Sequence, residues 1–319
     1  MARVYLSMPF SFISKRMNEV FFLSAISKKL KRAAYISKCE SIFKCPICSS
    51  PMKLWECKSL VCTHHSHTFD LTKQGYVNFL KKPVKSRYGT ELFEARRKLM
   101  SENDFFAPLL QAIANIIISR QARKESLMIL DMGCGEGSHL SALSDRISFE
   151  LGKSVTAAGI DISKEGILTA SKNFDDKIWA VADLADTPFQ DRQFDVILSI
   201  FSPSNYAECS RLLNEGGLMI KVLPQRDYLK ELRQYFFADT EKHTYSNTGM
   251  IDRFIQNHQV VNQERLRYTK NLSQPALESL VQMTPLTWSS SKEKINQFLQ
   301  KESADITVDA DILVGSKQM

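Results

Sequence analysis

From about residue 105 onward, short and almost wholly apolar runs alternate with stretches whose apolar positions recur every three or four residues. The runs are 127–130, 155–160, 178–182, 194–201 and 218–223. Their continuity predicts strands covered on both faces, the pattern of a parallel sheet. An entry helix is predicted over 105–120, with Ile113, Ile116 and Ile117 toward the core. Strands alternating with helices at this spacing predict an α/β domain. A sixth strand is expected near 259–268 and a last at 306–314. Gly216-Gly217 is expected to close a helix after Leu212. The helix holding Gln282 and Met283 should stop at Thr284, because Pro285 disfavours α conformation before it.

The first run ends in Asp131, and Gly133, Gly135 and Gly137 follow at alternate positions. Such a strand–glycine-loop–helix unit places a ligand at the carboxyl edge of the sheet, near a helix N-terminus. The D-x-G-x-G-x-G spacing resembles the first motif of S-adenosylmethionine-dependent methyltransferases. It differs from the G-x-G-x-x-G of dinucleotide enzymes. Asp161, at the tip of the second strand, could accept both ribose hydroxyls of a nucleoside cofactor or cap the following helix. Asp183-Leu184, after the third strand, occupies the place where such enzymes grip adenine.

Upstream, Cys45 and Cys48 are followed after thirteen residues by Cys62, and then by His67. Three thiolates and an imidazole at this spacing predict one tetrahedral structural zinc site with no open position for chemistry. Cys57, His64 and His65 lie close enough in sequence to replace one ligand. Cys39 is a poorer candidate, and Cys134 and Cys209 read as core residues.

The two constellations in this order resemble the bacterial 23S rRNA (guanine-N1)-methyltransferase family of RlmA type. The resemblance rests on Cys45-Pro-Ile-Cys48, on His67-Thr-Phe69-Asp70 leading to Tyr76-Val77-Asn78, on Glu94-Ala-Arg96-Arg97, on the glycine loop, and on Gln282-Met283-Thr284-Pro285-Leu286-Thr287-Trp288. It implies a Rossmann-like methyltransferase domain beside a small N-terminal zinc-binding β module, and a homodimer. It also implies transfer of a methyl group from S-adenosylmethionine to N1 of a guanine in a 23S rRNA hairpin loop. By the same resemblance Cys45, Cys48, Cys62 and His67 hold zinc. Phe106, Asp131, Gly133, Gly135, Glu136, Gly137, Asp161, Asp183, Leu184 and Tyr228 contact the cofactor; Tyr228 stands where relatives carry His. The Cys62–His67 gap departs from the family pattern and leaves the alternative ligands open.

Guanine N1 must lose a proton during methylation, so a base or assisting hydrogen bond is needed. No residue is identifiable as that base. Ser202-Pro203-Ser204-Asn205, after the fourth strand, is where the acceptor should enter. Ser202 and Asn205 could either bond the guanine edge or cap the next helix.

Composition adds three limits. No apolar stretch approaches the roughly 20 residues that span a bilayer, so no integral membrane association is expected. Seven cysteines, an odd number, suit a reducing cytoplasm better than a disulfide framework. Residues 1–38 hold eight Lys or Arg against one acid, an excess equal to the whole net charge of +7; overall charge is therefore no evidence of RNA binding by the core. Locally, Lys73, Lys81, Lys82, Lys85, Arg87, Arg96, Arg97 and Lys98 face only Glu91 and Glu94. That strip is expected to meet RNA phosphates, with a solvated linker as the plainer reading. Phe10, Phe12, Ile13, Met17, Phe21, Phe22, Ile26 and Leu30 interleave with basic residues at helical spacing. This start is expected to be disordered, a transit or surface-binding helix, or the product of an upstream start codon, with Met8 and Met17 as alternatives.

The resulting organisation is a basic extension (1–40), a zinc module (41–82), a basic linker (83–104) and a methyltransferase domain (105–319). Two other functions share parts of this pattern: a small-molecule methyltransferase, and a catalytically inactive zinc-containing RNA-binding protein.

Overall fold

A computed structural model describes residues 27–84, 88–237 and 246–318. The apolar-basic pattern over 1–26, and Lys85 and Arg87 of the basic strip, lie outside the described residues. In chain order the elements are helix α1 (Lys28–Ser37), strands β1 (Met52–Trp55), β2 (Ser59–Cys62), β3 (Thr68–Asp70) and β4 (Val77–Asn78), and helices α2 (Thr90–Asn103) and α3 (Ala107–Gln121). Next come β5 (Ser126–Met132), α4 (Ser138–Leu151), β6 (Ser154–Asp161), α5 (Lys164–Asn173), β7 (Ile178–Val181), β8 (Phe194–Ile200), α6 (Tyr206–Leu212) and β9 (Leu213–Pro224). The chain ends with α7 (Lys230–Phe237), α8 (Thr248–Asn257), β10 (His258–Ser273), α9 (Gln274–Met283), α10 (Lys292–Phe298) and β11 (Ser303–Lys317).

Among the described residues, two sheets form. β1, β2 and β3 make a small antiparallel sheet, and the other strands line up as β10-β11-β9-β8-β5-β6-β7-β4. β4 through β9 run parallel where they pair, and β11 and β10 are added antiparallel. Alternate residues of a parallel strand reach opposite faces. Ile129, Val196 and Leu198 join one apolar layer, with α3, α4 and α9. Leu130, Met132 and Ile197 join the other, with α1 and the small sheet. Burial on both faces is why these strands read as unbroken apolar runs.

Three boundaries differ from the sequence expectation. Residues 28–37, assigned to the extension, form a helix built into the fold. Ser27 caps it, Ala33 and Ile36 are buried, the Arg32 Nη2 donates to Phe174 O at 2.7 Å, and Ala157 N donates to the Tyr35 hydroxyl at 3.1 Å. Its lysines are engaged as well, Lys28 and Lys31 lying 3.4 and 3.6 Å from Asp175. The linker is likewise no tether. α2 buries Phe93, Ala95, Leu99 and Met100 and packs on α9, α5 and α4. Finally, Gly216-Gly217 lie within β9, because α6 stops at Leu212 and Leu213 already pairs with Phe194. The ladder slips between Phe194 and Val196, and Gly216 takes a φ of +68° in the resulting bulge. The zinc module also shares the main sheet, since Val77 and Asn78 pair with Ala180 and Val181.

β10 and β11 extend well past their expected bounds. Their mutual ladder joins His258 to Lys317 at one end and Ser273 to Ser303 at the other. β10, the edge strand, is exposed along most of its length and tolerates polar residues that an apolar-run criterion misses. α9 ends where Pro285 requires, with Thr284 extended at φ −101°, ψ 134°.

Candidate functional site

Two sites emerge. In the small sheet, Cys45, Cys48, Cys62 and His67 bring their ligand atoms within 4.8 Å of one another. Cys45 Sγ lies 3.4 Å from His67 Nδ1, and Cys48 Sγ 3.4 Å from Cys62 Sγ. The β1–β2 register sets Met52 opposite Cys62, and Cys62 N donates to His67 O at 2.8 Å. That contact closes the 62–67 loop with the His67 ring inward. The alternatives fall away on geometry. Cys57 is exposed at the β1–β2 turn, and the exposed His64 shares a hydrogen bond of 3.2 Å with Ser50 Oγ. His65 is exposed too. Three thiolates and one imidazole converging in this way fit a structural Zn²⁺ ion.

The second site is the crevice at the carboxyl ends of β5, β6 and β8. Gly133 and Gly137 take φ values of +84° and +83°. A Cβ at either would come within 2.6 Å of Ser202 or 2.5 Å of Trp179, so only glycine lets the loop pass there. Asp161 fastens this loop: its carboxylate accepts from Gly135 N and Ser163 N, both at 2.8 Å. The cap of α5 is Ser163 itself, so Asp161 is no N-cap; it ties the two strand tips together.

Beneath the loop sits an acidic cluster. Asp131 is 1% exposed, and among the described residues its Oδ1 has no hydrogen-bond partner. Burial pushes its carboxyl up to about 7, with Arg96 opposing and the Asp161 and Glu136 charges adding to the rise. Glu136, fully buried, accepts from Ser138 N at 2.9 Å and Ser138 Oγ at 2.5 Å. Its Oε1 faces Arg96 Nε at 3.3 Å, an ion pair without hydrogen-bond geometry. Burial raises both Glu136 and Asp161. His139 Nδ1 lies 3.0 Å from Arg96 Nη2, its Nε2 has no partner among the described residues, and burial pushes the ring's pKa well below the usual histidine range.

An aromatic wall completes the crevice. Phe106 packs edge-on to His139 at 5.3 Å and meets Phe201 at 5.8 Å, and Phe201 lies 5.0 Å from Tyr228. Phe201 adopts φ +53°, a left-handed conformation costing a bulky residue about 1–3 kcal/mol. Leu184 reaches toward Gly133. Asp183, exposed at the end of β7, accepts from Ala185 N at 2.9 Å. The crevice thus gathers the predicted residues around the strand tips. The unpaired Asp131 Oδ1 and the glycine cradle fit a ligand carrying an ammonium, as S-adenosylmethionine does in its methionine half.

The structure corrects the placement of Arg96 and decides the open choice for Asn205. Arg96 does not face outward with the basic strip; it turns inward onto Glu136 and His139. Arg97 pairs with Glu94 at 3.1 Å, and Lys81 with Asp186 at 3.0 Å. Asn205 caps α6, accepting from Glu208 N at 3.1 Å, and Ser202 Oγ donates to Met132 O at 2.7 Å. One residue escaped sequence reasoning altogether. Lys221, the single charged position in the apolar run of β9, is buried beneath the 202–204 loop. A lysine interrupting Leu218-Met-Ile-Lys221-Val-Leu223 was the available signal.

Comparison with known proteins falls into line with this geometry. Residues 43–88 match the model of the N-terminal zinc ribbon described as "RlmA, N-terminal", and residues 129–217 match a methyltransferase domain. The chain is 55% identical over 278 residues to a Bacillus subtilis (strain 168) protein named "Putative 23S rRNA (guanine-N(1)-)-methyltransferase YxjB", covering 87% of this chain and 98% of that one. It is 30% identical over 253 residues to the 23S rRNA (guanine(748)-N(1))-methyltransferase of Streptomyces fradiae, covering 79% and 88%.

Proposed function

The chain belongs to the family of 23S rRNA (guanine-N1)-methyltransferases, and on that premise we propose that it methylates N1 of a guanine in a hairpin loop of 23S rRNA. It is an S-adenosylmethionine-dependent enzyme with a structural zinc ribbon. When bound, the cofactor supplies a methyl group already activated by the sulfonium, so the protein's task is alignment and proton removal. Alignment of this kind is worth roughly 7–11 kcal/mol of barrier. The observation that carries the reading is the buried Asp131 Oδ1, which has no hydrogen-bond partner among the described residues, at the tip of β5 beneath the glycine loop.

Around that point the proposed roles divide. Asp131 receives the methionine ammonium, Asp161 the ribose hydroxyls, and Leu184 and Asp183 flank the adenine. Gly133, Gly135, Glu136 and Gly137 shape the cradle. Phe106 and Tyr228 contact the cofactor, with Phe201 between them, and the acceptor base is extruded toward it, as single-stranded loops allow at least cost. Lys73, Lys82 and Lys98, exposed on the module and α2, are the remaining cations for RNA phosphates. No helix among the described residues is long and apolar enough to cross a membrane; a cytoplasmic homodimer is part of the proposal. Incubating the purified protein with S-adenosylmethionine and 23S rRNA, then mapping modified nucleosides by mass spectrometry, should reveal one N1-methylguanosine in a hairpin loop. Methylation only of small metabolites would overturn the reading.

A further inference from the structure

The cluster beneath the acceptor loop has an unusual composition. Lys221 is 3% exposed in β9, yet among the described residues its ammonium has no carboxylate partner. Its contacts are neutral: Ser199 Oγ at 3.0 Å, Ser204 Oγ at 2.9 Å, and Ser202 O. The hydroxyls are themselves linked. Ser199 Oγ lies 2.8 Å from Ser204 Oγ and 2.9 Å from Ser202 Oγ, and Ser202 Oγ continues to Met132 O at the tip of β5. The network therefore runs from the middle of β9 to the loop that follows β8, and of its two partly exposed members, Ser202 and Ser204, only Ser204 has its hydroxyl on Nζ.

Anchoring a loop does not call for a lysine here. A buried amine without a counter-ion is disfavoured in its charged form, and a neutral side chain would hold three hydroxyl or carbonyl groups with less penalty. What the amine adds is a proton site.

We propose that Lys221 takes up the N1 proton of the acceptor guanine through the Ser204 hydroxyl. Ser204 is the group that meets the base, and Lys221 is the positioning residue that keeps its hydroxyl ready to accept. This rests on the guanine-N1 reading above. N1 forms a bond to the methyl carbon as the carbon–sulfur bond breaks, and the sulfur leaves as a thioether. The N1 proton moves to Ser204 Oγ, the serine's own proton moves to Nζ, and the ammonium later releases it to solvent.

Burial pulls the Lys221 amine down to about 8, with the Cys209 thiol on α6 opposing. β8 presents Ser199 and β11 sets Leu313 opposite in register; neither titrates. An acceptor near 8 is roughly half neutral at pH 8 and about a tenth neutral at pH 7, as proton transfer requires.

Two measurements test this. In cofactor-free protein with 13C-labelled lysine, the Lys221 Cε resonance should titrate near 8. In single-turnover methylation of a 23S rRNA fragment, the wild-type rate should rise with pH and level off above that midpoint. Lys221→Met should lose about 10²-fold or more and lose the inflection, with S-adenosylmethionine affinity by calorimetry unchanged. Ser204→Ala, which buries no new group, should lose a similar factor while the lysine still titrates, and it decides between the outcomes if Lys221→Met does not fold. Wild-type-like rates and pH profiles in Ser204→Ala or a folded Lys221→Met, or a Lys221 that titrates above 10, would overturn the relay. If the wild type forms no N1-methylguanosine at all, the functional reading fails and the relay with it.

Discussion

The zinc ribbon and the cofactor crevice are both built from clustered polar side chains, yet they close in opposite ways. In the ribbon, four ligand atoms converge on one point and the alternative donors turn to solvent. Once a divalent cation is bound, nothing is left over. In the crevice, the carboxylates of Asp131, Glu136 and Asp161 face Arg96, with Arg97 adding to the field only at Glu136, and among the described residues Asp131 Oδ1 has no hydrogen-bond partner. A self-sufficient cluster marks a structural site, whereas an excess of buried negative charge marks one that needs a cationic ligand to be complete. S-adenosylmethionine, with its sulfonium and ammonium, has the charge to complete it.

The largest expected effect belongs to the ribbon. Removing zinc with a chelator, or changing Cys45→Ser, should unfold residues 43–71, because structural zinc supplies folding free energy directly. Amide exchange would report the loss, and Cys57→Ser should leave the metal content unchanged. If the comparison is right, S-adenosylmethionine affinity falls far less than RNA methylation does.

The next effect tests Arg96, which links α2 to the crevice. Arg96→Ala leaves Glu136 buried without its cation, and such a break costs about 3–5 kcal/mol. Partial exposure of the guanidinium should bring the loss to the low end, read as a drop in thermal midpoint together with weaker cofactor binding. A variant that lost RNA affinity alone would return Arg96 to the basic strip.

Asp131 gives the smallest and most discriminating effect. Asp131→Asn should weaken S-adenosylmethionine binding by about 1–3 kcal/mol, the range for a lost charged hydrogen bond, without destabilising the free protein. The pH dependences should also have opposite signs. With its folded pKa raised to about 7 from 3.8, Asp131 keeps its proton in the native state after the unfolded chain has lost it. The stability of the free protein should therefore decline as pH rises from about 4 to 7. Cofactor affinity should climb toward pH 7 as the carboxylate ionises, and calorimetry across that range, with Asp131→Asn as the flat control, checks both.

Much of this was legible in the chain. Largely apolar runs located β5 through β9, because strands covered on both faces admit few polar residues, Lys221 and Ser199 being exceptions. The glycines at 133, 135 and 137 announced the crevice, since their backbone conformation excludes other residues. The ligand set was legible only as a short choice, because His64, His65 and His67 are close in spacing, and the folded loop, closed by the Cys62–His67 backbone contact, brings His67 to the three thiols while His64 and His65 stay exposed. The meeting of Arg96 with Glu136 and His139, and of Lys221 with Ser204, was not legible. Each joins elements far apart in sequence, and a basic residue reads the same in a strip whether it points out or in. Helix α1 was missed for a related reason: its lysines looked like a solvated tail until Asp175 supplied their partner.

The two-residue strand β4 has a consequence out of proportion to its length. β7 is buried along its whole length, and Val77, Asn78 and the Phe79 N–H satisfy its outer backbone groups. A recombinant fragment beginning after residue 82 would bare that row of donors and acceptors as a template for neighbouring chains, the circumstance that drives intermolecular β-aggregation. The ribbon therefore acts as a solubility guard for the domain it precedes, and attempts to express the methyltransferase half alone should yield inclusion bodies.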